Sequence, residues 1–226
     1  MAKGSSLPLL VWLSPAFPVG SFAYSHGLEW AHEAGDVVDF ETCRDWIGDL
    51  VSSGSGRNDA IVVAETWRAV GTADFKKLDT IIELSLALQP SSERYLESTM
   101  QGKAFLTTAR AAWSIEALES IATRHGGDIS YPVAVGMVSA SYAMPLPEVL
   151  EAFLTAFVSN LVSACVRLGA IGQTDGQRVI ASLMPLIRKE AHHAEQSTLD
   201  DIGSSLFRSD LASLHHETQY TRLFRS

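Results

Sequence analysis

"PEVLEAFLTAFVSNLVSACVRLG" occupies residues 147–169. Val149, Leu150, Phe153, Leu154, Phe157, Val158, Leu161, Val162, Cys165 and Val166 recur at i, i+3, i+4 spacing. That period is helical, and a strand would alternate at two. Pro147 suits a first helical turn and Gly169 a stop. The apolar stripe is wide, so the helix is expected at the centre with neighbours on several sides.

The same period runs through most of the chain. It predicts helices at 40–53, 59–71, 74–88, 92–113, 115–125, 131–144 and 208–218, and another from Thr174. Thr174 followed by Gln177 resembles a capping box, and Pro185 falls inside that helix, where it should kink it. "AIVVA" (60–64) and "YPVAVGMV" (131–138) have strand propensity, but their flanks read as helix. Two isolated strands would make no useful sheet. The segments 52–59 and 123–130 read as short loops, neither long enough for a domain linker. The expectation is one all-α domain over 1–226, a bundle of about eight to ten helices, with a partner-docking tail from about 204 to 226.

The 226 residues are 46% hydrophobic and 19% charged, a globular composition. A net charge of −9 disfavours nucleic acid and anionic membranes, which are bound by clustered Lys and Arg. It suits a basic protein partner or a cation. The longest uncharged apolar-rich run, Ala152–Val166, is interrupted by Thr155, Ser159, Asn160 and Ser163 and is shorter than a membrane span needs. Two cysteines, Cys43 and Cys165, make no disulfide framework and read as core thiols of a protein in a reducing cytoplasm.

"SPAFPVGSFAYSHGLEWAHEAG" (14–35) is the stretch with the most chemistry in it. Phe17-Pro18-Val19-Gly20 fits a type I turn. Ser21 would cap a helix from Phe22 to Ala34. Such a helix puts Tyr24, Gly27, Leu28, Ala31 and Ala34 on one small apolar face, and close approach of another backbone would explain Gly27. Phe22, His26, Glu29 and Glu33, with Ser25 at the edge, would form an exposed polar face. Ser25 and His26 are about 100° apart on a helix and do not face one another as nucleophile and base must. His26 and His32 are too far around it to share a metal. Glu190, His192, His193 and Glu195 read as a solvated helix end, and no nucleotide-binding lysine loop is present. A small all-α metal-dependent hydrolase is the reading that would use these clusters.

Three segments carry a resemblance. "FPVGSFAYSHGLE" (17–29), "GQTDGQRVIASLMP" (172–185) and "HHETQYTRLFRS" (215–226) resemble, in order and spacing, the urease accessory protein family UreF. The likeness covers essentially the whole chain. It implies a non-enzymatic helper that is all-α and commonly dimeric. Such a helper binds UreD (UreH), recruits the GTPase UreG and serves nickel delivery to apo-urease, with no cofactor of its own. Regulation of that GTPase, through an arginine such as Arg57 or Arg178, is an alternative.

On this reading partner contacts fall in three places. The turn-helix gives Phe17, Pro18, Gly20, Ser21, Tyr24, Ser25, Gly27, Leu28 and Glu29. The polar helix start gives Gln173, Asp175, Gly176, Gln177 and Arg178. The tail gives His216, Glu217, Tyr220, Arg222, Leu223 and Phe224, aromatic and Arg residues of the kind that dominate interfaces. The resemblance implies that the tail docks into a UreD-type partner and becomes ordered on binding. His215 and Arg225 have no role that the family pattern assigns.

Overall fold

A computed structural model describes residues 6–113, Leu118 and 127–226. Among them every regular element is helical, with no strand. In chain order they are α1 (Leu7–Trp12), a 3₁₀ turn (Ser21–Ala23), α2 (Leu28–Glu33), α3 (Phe40–Ser53), α4 (Ser55–Gly71), α5 (Phe75–Ala87) and α6 (Ser92–Trp113). Then come α7 (Tyr131–Ser141), α8 (Leu146–Leu168), α9 (Gln173–Gln196), a second 3₁₀ turn (Leu199–Asp201) and α10 (Phe207–His216). The helix expected at 115–125 lies outside the described residues, apart from Leu118.

The fold is organised around α4 and α8. α4 packs on α3, α5, α7, α8 and α9; α8 packs on α2, α3, α4 and α9. The sequence explains both. α4 carries the run Ala60–Thr66, every residue of it buried. α8 buries Val149, Leu150, Phe153, Leu154, Val158, Leu161 and Val162, the larger of them worth about 1.5–3 kcal/mol each. By length and composition α8 could cross a membrane, but half of its most apolar window is buried against its neighbours. Cys43 and Cys165 are free, fully buried thiols.

α6 frames the other side of the bundle by packing on α7. Its hydrophobic pattern is weak because its inner face is polar: Arg94, Glu97, Ser98 and Gln101 are all buried. α10 lies across α2, where the chain reverses.

Several local expectations fail. The segment 52–59 is not a loop: only Gly54 separates α3 from α4, so Arg57 sits in the first turn of a helix. There Arg57 reaches the Gly203 carbonyl (3.5 Å), and Asn58 accepts from Gly203 N–H (3.1 Å). Thr174 and Gln177 form no capping box. α9 begins at Gln173, one residue earlier than Thr174, with Gly172 at the N-cap and no side-chain cap. Capping boxes form elsewhere, at Thr198–Asp201 and on α3, where Asp39 and Thr42 bond reciprocally and hold the Asp39 carboxyl below its ordinary range.

Candidate partner-binding site

The segment 17–29 is not a turn followed by one helix. Pro18 and Val19 make a tight turn closed by Val19 N–H donating to the Phe17 carbonyl (2.8 Å). Gly20 then takes φ +75°, a left-handed conformation that a side chain disfavours. Ser21 opens a single 3₁₀ turn without acting as a side-chain cap, and Tyr24 is extended. His26 and Gly27 are both left-handed (φ +57° and +77°), and α2 starts only at Leu28. The close backbone approach at Gly27 is present. A Cβ there would lie 2.7 Å from the Ser213 nitrogen of α10.

This break turns part of the expected polar face inward, while Phe22 and Glu33 stay exposed. Ser25, His26 and Glu29 are buried rather than solvent-exposed. Phe17 is buried against Phe105, with ring centroids 5.1 Å apart. Tyr24 and Leu28 are buried too, and burial raises the Tyr24 phenol, with Glu97 adding to it.

The buried polar groups meet the end of the chain. Glu29 accepts from the backbone N–H groups of Leu223 (2.6 Å) and Phe224 (2.8 Å), and faces His216 Nε2 (3.1 Å). The other nitrogen of His216, Nδ1, faces Glu93 (2.6 Å), and Glu93 also receives Arg222 (2.6 Å). Ser25 N–H donates to the Ser226 carbonyl (2.8 Å), as does the Ser25 hydroxyl. Arg225 N–H donates to the Ala23 carbonyl (2.8 Å). The Phe224 ring is buried beneath Arg167, whose guanidinium lies 4.3 Å from its centroid.

Behind this latch, Glu97 gathers His26 Nε2 (2.8 Å), Gln101 (3.0 Å), the Ser226 hydroxyl (2.7 Å) and Arg94. Burial alone would raise its carboxyl, but Arg94, His26 and the Ser226 hydroxyl together hold it down to about 2. Burial lowers the His26 imidazole, and Arg94 lowers it further against the pull of Glu97. The pair is therefore a neutral imidazole donating to a carboxylate.

The tail thus packs back on its own chain. It does not bury everything. Tyr220 is fully exposed and Leu223 is 64% exposed, while Glu217 is taken up by Ser92 N–H (2.8 Å) and hydroxyl (2.6 Å). Trp30 stacks on His215 (4.6 Å), which gives that residue a place the sequence did not.

The third group, Gln173–Arg178, is not drawn into this network. Gly176 is buried under Val162 and Val166 of α8. Arg178 pairs with Asp175 (2.7 Å) and lies over Phe40 at the start of α3 (4.8 Å).

The sequence reading missed Glu93, Arg94, Glu97 and Gln101. Their signal was polar residues at helical spacing on α6, which ordinarily marks a solvated face. No cluster of three or more His, Cys, Asp or Glu side chains placed to hold a metal ion occurs among the described residues.

Comparison with known proteins gives the family. The UreF family model matches residues 37–184. The urease accessory protein UreF of Rhodopseudomonas palustris (strain BisA53) is 52% identical over 218 residues, covering 96% of this chain and 92% of that protein. UreF of Xanthobacter autotrophicus is 52% identical over 225 residues, covering 100% and 93%, and that of Bradyrhizobium diazoefficiens is 51% identical over 218 residues, covering 96% and 90%. With a family model across most of its length and relatives of this identity end to end, the chain belongs to the UreF family of urease accessory proteins.

Proposed function

We propose that the protein is a non-enzymatic, cytoplasmic scaffold for urease maturation. It binds UreD (UreH), recruits the GTPase UreG and supports nickel insertion into the apo-urease subunits, working as a homodimer. It acts without a cofactor, a nucleic acid or a membrane. One observation carries the reading. Segments 17–29 and 215–226 are locked together from within, and their outer side presents Phe22, Tyr220, Leu223 and Arg222. Exposed aromatic and aliphatic anchors beside an arginine, on a rigid base, make an interface composition. The names of the relatives support the same role.

Of the other readings, a hydrolase would need a free nucleophile, and the Ser25 hydroxyl is fully buried and bonded to Ser226. Co-purification with UreD, with and without UreG, tests the scaffold. Leu223→Asp and Tyr220→Ala should fold normally yet lose the complex. Undiminished assembly in both variants would remove the tail surface from the interface. Failure of the wild-type chain to assemble would sink the reading itself.

A further inference from the structure

A half-open cavity of about 750 Å³ lies beside the buried network. Leu9, Leu13, Val19, Phe153 and Phe157 form much of its wall. Leu10 and Phe22, which also line it, are 70% and 68% exposed. One part-buried carboxyl in the wall lacks a donor. Asp59, part-buried on α4, makes no hydrogen bond or ion pair among the described residues. His26 also borders the cavity, but its Nε2 donates to Glu97 and its Nδ1 is sealed from the cavity space, so it offers the occupant no acceptor. Arg94, the one Lys or Arg among the described residues of the lining, is taken by Glu97. Glu148 and Glu151 add further carboxyl groups from α8.

We infer that this cavity receives a cationic side chain of a partner protein, a lysine ammonium or arginine guanidinium set between apolar residues, with Asp59 as its counter-ion. The inference rests on the scaffold reading and deepens it. The unpaired Asp59 carboxyl calls for a donor, and these two cationic groups carry donors only. A neutral hydroxyl would fill a hydrogen bond but leave a desolvated carboxylate unpaired. The long stems of Lys and Arg lie along apolar walls while the charged head seeks a partner. A chain of net charge −9 also attracts a basic segment. Without an occupant, burial pushes the Asp59 carboxyl up to about 7. Arg94 opposes this and Glu97 adds to it. His26 is held neutral and so supplies no competing cation. Asp210, a further carboxyl in the field of Arg94, is likewise raised by burial.

The test is calorimetric titration of the full chain with UreD, and with UreG, in buffers of different ionisation enthalpy. A counter-ion role makes Asp59 ionise on binding. Association at pH 6.5 should then release about three-quarters of a proton per chain, and affinity should rise about tenfold from pH 6 to pH 8. Asp59→Asn should abolish the proton release and weaken binding at pH 8 by about tenfold. This variant removes a desolvated charge and should fold at least as well as the wild type. Wild-type binding without proton release, or Asp59→Asn binding with wild-type affinity, overturns the inference.

If the wild-type chain binds neither protein, the scaffold reading fails, and a separate probe decides the cavity. N-hexylguanidinium, titrated into the isotopically labelled full chain, should give saturable NMR shifts at Leu9, Leu13 and Val19 that Asp59→Asn loses and 1-hexanol does not reproduce. Absence of saturable shifts in the wild type would overturn the inference.

Discussion

Glu29 shows at the scale of one residue how this site works. Its carboxylate accepts two backbone N–H groups from the tail and faces His216, all away from water. Charge-assisted hydrogen bonds of this kind are worth about 1.5–3 kcal/mol. Glu29→Gln should therefore cost about 2–3 kcal/mol in urea unfolding and should speed hydrogen exchange at Leu223 and Phe224. An exposed Glu29 would predict neither effect. Asp59 has the opposite sign. Its carboxyl rises from 3.8 to about 7, so the folded state binds the proton more tightly than the unfolded state. Stability from this group is present below pH 4 and is lost as pH rises through 7. Asp59→Asn should raise the melting temperature at pH 8 and leave it unchanged at pH 4. The gain at pH 8 should be about 2 kcal/mol, roughly half the full linkage because cavity water screens the charge. At this scale the sequence was legible in residue type but not in burial. Ser25, His26 and Glu29 stand out as a polar cluster, yet their partners Glu97 and Ser226 are distant in sequence and cannot be read from local spacing.

At the scale of elements, legibility follows the range of the forces involved. α6 was expected at 92–113 and is Ser92–Trp113; α8 was expected at 147–169 and is Leu146–Leu168. Both are set by periodicity within their own residues. The break at Tyr24–Gly27 is set elsewhere, by the Ser25–Ser226 bonds and by the α10 backbone against Gly27. Residues 22–34 alone read as a helix with a capping Ser21 and a single costly glycine, Gly27, which by itself would not end it. The same dependence changes what a truncation means. Removing 215–226 takes away His216, the two amides on Glu29, the Phe224 ring and the Ser226 contact to Glu97. The shortened chain leaves Glu29 and Glu97 buried with fewer donors, a cost of several kcal/mol. Its thermal unfolding should move down by about 10 °C or more. A loss of partner binding in such a chain would thus report lost structure as well as a lost contact. Leu223→Asp is the cleaner probe, because that side chain points outward.

At the scale of the whole molecule, helices α4 and α7 approach so closely that no side chain fits between them at Gly136. A Cβ there would lie 2.6 Å from Thr66 Cβ and 2.9 Å from the Val63 carbonyl. Gly136→Ala should force the pair apart and cost about 1–3 kcal/mol, the usual penalty of overpacking. Equilibrium unfolding would read this directly, and a neutral result would mean that the two helices can slide. The all-α architecture itself was legible, since helical period pervades the chain and no pair of strands competes with it. The cavity was not legible, because its walls come from α1, the Ser21 turn, α4, α6 and α8 and no single segment announces it.

The bond between Ser25 and Ser226 spans 201 residues, nearly the whole polypeptide. During synthesis on the ribosome the amino-terminal partner emerges long before its mate. Until residues 215–226 leave the exit tunnel, Glu29 lacks the tail donors and Glu97 lacks the Ser226 hydroxyl, so the latch cannot close before they emerge. A nascent chain stalled with residues 215–226 still inside the tunnel should stay open to protease near residue 27. Emergence of that segment should close the cleavage site within the time of one folding event.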